Sequence, residues 1–79
     1  MQQFFLDITG DNCPLTFVKT KLLLERMAPG DTAQVRLKGG EPLENVPRSV
    51  RDHGHEVIAV TPDPADPSGE THILQLRRV

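Results

Sequence analysis

Leu6-Asp7-Ile8-Thr9-Gly10-Asp11-Asn12-Cys13-Pro14-Leu15-Thr16 reads as the end of a strand, a tight turn and the first turn of a helix. Gly10 is expected to supply the backbone freedom that the turn needs. Pro14 suits the first helical position, where its missing N–H costs nothing. Cys13 then becomes the N-cap, its sulfur facing unpaired N–H groups and the positive end of the helix dipole. Such a setting lowers a thiol's pKa and exposes it, as a reactive cysteine requires. A dipole effect of about 0.3–1 kcal/mol, up to about 2, corresponds to roughly 0.2–1.5 pKa units. The site is primed rather than strongly acidic, and the negative charge of Asp11 opposes the thiolate. Thr16, as N3, offers a backbone N–H to the capping group, and its hydroxyl either reaches the sulfur, faces solvent or bonds its own helix.

The 79 residues contain one cysteine, which excludes an intramolecular disulfide framework. A lone cysteine in a small domain can also be a buried apolar filler; the helix-entry placement is what favours the reactive reading. The length is that of a single domain, 1–79, burying only about 60% of its unfolded surface, so chemistry belongs at the surface. A net charge of −2 argues against nucleic-acid binding, which calls for a basic stripe. No segment reaches the roughly 18 apolar residues of a membrane span. Met1 to Leu6 shows neither a basic region nor an apolar run of signal-peptide length, and a free thiol suits a reducing cytoplasm.

Outward from the opening stretch, Phe4, Leu6 and Ile8 alternate with Phe5 and Asp7 as a short first strand. The following helix is expected from Pro14 to about Met27, ending before Pro29-Gly30. It carries two apolar stripes: Phe17, Leu24 and Met27 with Thr20 between them, and Leu15, Val18 and Leu22 on roughly the opposite side. Either both are partly buried, or Leu15, Val18 and Leu22 stay exposed and meet a partner. Lys19 and Lys21 are solvated charges or guides for an acidic partner.

Thr32 to Lys38 alternates cleanly as a second strand, with Ala33, Val35 and Leu37 on one face. A second helix lies between Pro42 and His53; it either starts at Pro47 or carries that proline within its first turns. Gly54 is its stop. Glu56 to Thr61 is expected as a well-buried third strand and Thr71 to Arg77 as a fourth. The acidic, proline-rich segment between them, from Pro62 to Glu70, is expected as a mobile hairpin tip. The order βαβαββ gives an α+β, two-layer sandwich, with two helices on one face of a four-stranded mixed sheet. Right-handed crossovers make the first three strands parallel and the last antiparallel. His53, His55 and His72 lack zinc-ligand spacing, so neither a metal nor a cofactor is expected. A dyad of Cys13 with His53 or His55 needs a proximity that sequence does not show; His53 is more simply a partner for a helix C-terminus.

Leu6-Asp7, Gly10 and Cys13-Pro14, then Thr20-Lys21, Pro29-Gly30, Glu41-Pro42, Asn45-Val46-Pro47 and Gly54-His55-Glu56-Val57 together resemble the TusA/SirA-like sulfur carrier family. The resemblance runs from Leu6 to about Val60. It implies a small cytoplasmic protein with a two-layer fold like the C-terminal domain of translation initiation factor three. It also implies that Cys13 accepts a persulfide sulfur from a donor enzyme and passes it to an acceptor, in tRNA thiolation, cofactor sulfuration or oxidative sulfur metabolism. Pro14 matches the first proline of the family's Cys-Pro-x-Pro motif, and Thr16 stands where the second would be. Independently of the resemblance, a carrier needs one exposed thiolate and no second cysteine to discharge it. The alternative is a non-covalent interaction or regulatory module on the same fold, with Leu15, Val18 and Leu22 as its contact patch.

Overall fold

Ala33, Val35 and Leu37 are each at most 1% exposed, and the strand that carries them organises the sheet. In the computed structural model, which describes residues 2–11 and 15–79, the elements are β1 (Gln3–Asp7), α1 (Leu15–Arg26), β2 (Thr32–Lys38), α2 (Glu41–Asp52), β3 (Glu56–Pro62) and β4 (Thr71–Arg77). The sheet order is β1-β2-β4-β3. β1 and β2 are parallel, and β4 is antiparallel to both β2 and β3. The first three strands therefore share one direction, as right-handed crossovers require, and β4 is inserted between the second and third. Both helices cover the sheet face of Ala33, Val35, Leu37, Leu74 and Leu76; these pack with Ile8, Leu23, Leu24, Met27, Val46 and Val50 in one core. The architecture is the expected α+β sandwich with an open sheet face. No helix among the described residues is long and apolar enough to cross a membrane.

The turns follow from local chemistry. Ala28-Pro29-Gly30-Asp31 closes with Asp31 N–H donating to Ala28 O at 3.0 Å and Gly30 at φ +92°. That is a type II turn, with proline and glycine in their favoured places. The buried Asp31 carboxylate accepts the N–H groups of Gln2 and Ala28, each at 2.9 Å, tying the start of β1 to the end of α1. Arg78 completes this junction by donating to the carbonyls of Leu24 and Met27. At the end of α2, Gly54 (φ +83°) donates to Arg51 O and His55 to Val50 O, the paired bonds of a Schellman stop.

Three expectations change, and one open alternative is resolved. α1 buries Leu23 as well as Leu24, together with Thr16 and Thr20, so its inward face is one position wider than the predicted stripe. Pro47 lies inside a continuous α2 and is buried, which selects the longer of the two helices considered. β3 is not well buried: it is an edge strand with Ile58 47% and Val60 36% exposed, and only Val57 packs against the core. A β-branched run predicts a strand but not the number of its neighbours.

Finally, the segment after β3 is anchored rather than a free tip. Asp63 is buried and accepts from Arg36 Nε at 2.5 Å and Ala65 N–H at 2.9 Å. Asp66 accepts from the N–H and hydroxyl of Ser68 and from the N–H of Thr71. The Arg36 guanidinium, above all, holds the Asp63 carboxyl below the usual range; hydrogen bonding from Thr71 and then Ser68 does the same for Asp66. The N–H groups of Gln2 and Ala28 lower Asp31.

A folded-state pKa below the unfolded value contributes stability above the unfolded pKa, lost as pH falls through the folded one. Thermal melts stepped in pH should therefore show a midpoint that slips as the pH falls below about 6.5, where the unfolded chain protonates His55 first, and drops further below about 4 as the carboxylates protonate. Asp66→Asn should melt lower at neutral pH and show a shallower acid limb; a limb parallel to the parent's would contradict this role for the carboxylate.

Candidate functional site

The site grows from the C-terminal end of β1. Asp7 Oδ1 accepts the N–H and the hydroxyl of Thr9 at 2.9 and 2.7 Å, an Asx turn that bends the chain out of the strand. These bonds, the Thr9 hydroxyl first, hold the Asp7 carboxyl below its ordinary value. Its Oδ2 meets Arg36 at 3.2 Å, fixing the turn to β2. Ile8 is 1% exposed and donates its N–H to Arg36 O at 2.9 Å. Asp11 N–H returns to Ile8 O at 3.1 Å, closing a turn over Thr9-Gly10. Gly10 is not in the left-handed region, and a Cβ there would meet nothing within 4 Å. The expected demand for glycine's backbone freedom is therefore absent: the turn is one that ordinary residues adopt.

Cys13 and Pro14, on which the N-cap and dyad expectations fall, lie outside the described residues. α1 begins directly after them. Thr16 in its first turn is fully buried, which excludes a hydroxyl facing solvent. The Thr20 hydroxyl donates to the Thr16 carbonyl at 2.8 Å, so a buried polar side chain is satisfied inside the helix. Thr16, Thr20, Leu23 and Leu24 turn inward, and the opposite stripe turns out: Leu15 is 52%, Val18 44% and Leu22 53% exposed. Of the two accounts of that stripe, exposure is the one found. Lys19 is not a free cation, since its Nζ lies 2.8 Å from Asp11 Oδ2. Lys21 is exposed.

His53 and His55 each have a hydrogen-bond partner. His53 caps α2, its Nδ1 donating to Ser49 O at 2.8 Å, and its ring meets Phe17 edge-on with centroids 6.1 Å apart. His55 Nδ1 accepts the N–H of Val79 at 3.2 Å. Burial, then the neighbouring Arg78 and His53 charges, push its pKa down, consistent with a neutral acceptor ring. Both line a cleft of about 160 Å³ between α1 and α2, with Thr20, Leu24, Ser49 and Arg78. Sequence reasoning missed this cleft, because it forms only where the chain's last residues meet two helix ends. Among the described residues no group of His, Cys, Asp and Glu could hold a metal ion.

A short strand, a carboxylate-braced turn and a helix with an exposed apolar stripe define a small α+β domain with that stripe open to solvent. The family model for sulfurtransferase TusA matches residues 4–76, nearly the whole chain and all the elements just described. The chain belongs to the TusA sulfur carrier family. It is 47% identical over 55 residues to an Archaeoglobus fulgidus protein named "Putative sulfur carrier protein", a match covering 70% of this chain and 62% of that protein. A Thermotoga maritima protein of the same name is 36% identical over 55 residues, 70% of each chain. A Methanocaldococcus jannaschii protein, likewise named, is 38% identical over 53 residues, 67% of this chain and 71% of its own.

Proposed function

We propose that this chain carries sulfur as a persulfide on Cys13, taken from a donor enzyme and relayed to an acceptor protein or biosynthetic enzyme in the cytoplasm. The observation that carries the reading is the exposure of Leu15, Val18 and Leu22, immediately after the chain's single cysteine and within the family match. A sulfur relay needs a nucleophile beside a surface that two successive partners can cover in turn, and this arrangement suits that need. Fully burying such side chains is worth about 1.5–3 kcal/mol each. With each about half exposed, the stripe holds roughly 2–4 kcal/mol for a partner, a factor of about 30–1000 in affinity.

The chemistry is a pair of displacements. The Cys13 thiolate attacks the outer sulfur of the donor's persulfide; the donor's S–S bond breaks, its thiolate leaves, and a new S–S bond forms on Cys13. An acceptor nucleophile then attacks that outer sulfur and Cys13 departs as thiolate. Both steps favour a thiolate of modest pKa, good at attack and at leaving. Pro14 and Thr16 are the residues assigned to support it, Thr16 having a backbone N–H where the common family motif has a second proline. Gly10, three residues before Cys13, adds no side chain to the loop that carries it. Asp11 would oppose the negative charge, and its ion pair with Lys19 offsets that. Lys21 is then the freer cation for an acidic partner surface.

Discharge tests the relay. Protein loaded by a persulfide-bearing donor and separated from it should release one thiocyanate per chain when treated with cyanide, which removes the outer sulfur and leaves the Cys13 thiolate. Protein alkylated before loading should release none. Equal release from alkylated protein would contradict the assignment.

A further inference from the structure

We infer that the free edge of β1, with the groove between it and α1, is a docking site for an extended acidic segment of a partner protein, added as a fifth strand. This inference does not depend on persulfide chemistry. Among the described residues, β1 pairs with β2 alone. Thr32 N–H donates to Gln2 O at 3.0 Å and Ile8 N–H to Arg36 O at 2.9 Å, so the even-numbered residues turn their backbone groups inward. By the alternation of a parallel ladder, Gln3 and Phe5 turn their N–H and C=O groups to the open edge.

Proteins ordinarily blunt such edges with charges, bulges or proline, and here the two edges differ. β3, at the other end of the sheet, begins at Glu56, is bulged between Val57 and Ala59 and ends at Pro62. The β1 edge, Gln3–Asp7, has neither bulge nor proline, its one charge is Asp7 at the far end, paired with Arg36, and Phe5 is 61% exposed. Beside it runs a groove of about 270 Å³ whose walls include Phe4, Phe5, Leu6, Lys19, Leu22 and Arg26.

The occupant follows from charge. The groove lining carries no carboxylate and two cations, of which Lys19 is paired with Asp11, so Arg26 sets the charge open to a ligand. Arg26 is exposed and makes no ion pair among the described residues. A second copy of this chain would bring Arg26 against its like, whereas a strand alternating acidic and aliphatic residues offers Arg26 a partner and covers the apolar floor. Main-chain bonds to Gln3 and Phe5 would supply affinity, and the side-chain alternation specificity.

The probe is a blocked hexapeptide alternating glutamate and valine, titrated into the whole chain and followed by amide NMR. The Gln3 and Phe5 amides should shift and exchange more slowly with solvent. Arg26→Glu should weaken binding at least tenfold, Phe5→Pro, which removes the outward N–H, should abolish it, and Cys13→Ser should leave it unchanged. A lysine–valine peptide should bind at least tenfold more weakly. Absence of binding, equal binding of the lysine peptide, or perturbation centred on β3 would overturn the proposal. Slow exchange at Gln3 and Phe5 that grows with protein concentration alone would overturn it in favour of a second copy.

Discussion

Leu24→Glu should unfold the chain, while Val18→Glu should leave it folded and slow its loading by the donor at least tenfold. Both substitutions place a carboxylate on α1, on opposite sides. Leu24 is 7% exposed within the core cluster, and Val18 is 44% exposed. At roughly 0.05–0.15 kcal/mol per residue, a chain of 79 residues has about 4–12 kcal/mol of stability in total. Truncating a buried leucine costs about 2–5 kcal/mol, and an unpaired carboxylate in the same place adds several more. Little or none of the stability would survive. On the exposed side, substitutions usually stay within about 0.5 kcal/mol. The loss there is interfacial: apolar area the partner would cover, and a charge it must desolvate. Circular dichroism melts and the dependence of loading rate on protein concentration measure the two effects separately. A Val18→Glu protein as unstable as Leu24→Glu would put the stripe in the core. One that folds and loads normally would remove the stripe as the docking surface.

The strands and their directions were legible because period-two alternation and glycine–proline punctuation are local signals. Ala33, Val35 and Leu37 share a face on sequence spacing alone, and Pro29-Gly30 stops a helix wherever the chain goes next. The sheet order was not legible: nothing in β3 or β4 announces which of them lies against β2. That missing piece explains why β3 was expected to be buried, since its apolar run would suit a central strand. The acidic segment misled for a related reason. Asp63 is buried by virtue of Arg36, which is 27 residues away in sequence, and no local pattern contains that pairing.

At the site, the two stripes of α1 could be drawn from spacing, but which one met solvent depended on how Thr16, Thr20, Leu23 and Leu24 seated the helix. Threonines on the inward face gave no hydrophobic signal to decide it. The Lys19–Asp11 pair joins two residues read separately, one as a partner guide and one as an opponent of the thiolate. The motif residues themselves, from Leu6-Asp7 to Gly54-His55, carried the family assignment that the match over residues 4–76 establishes.

The largest functional effect is expected at Cys13. The serine variant is nearly isosteric and its alcohol ionises far above neutral pH, so neither the attack on a persulfide nor the departure from one remains available, while Pro14 and the inward-facing residues of α1 are untouched. Cys13→Ser should therefore melt like the parent and carry no sulfur at all. The direct measurement is intact-mass spectrometry of parent and Cys13→Ser protein after incubation with a persulfide-bearing donor, without reductant. The parent should gain the mass of one sulfur atom, removable by a thiol, and Cys13→Ser should gain nothing. A Cys13→Ser protein that gains sulfur, or a folded parent that gains none from any persulfide donor, would contradict the account.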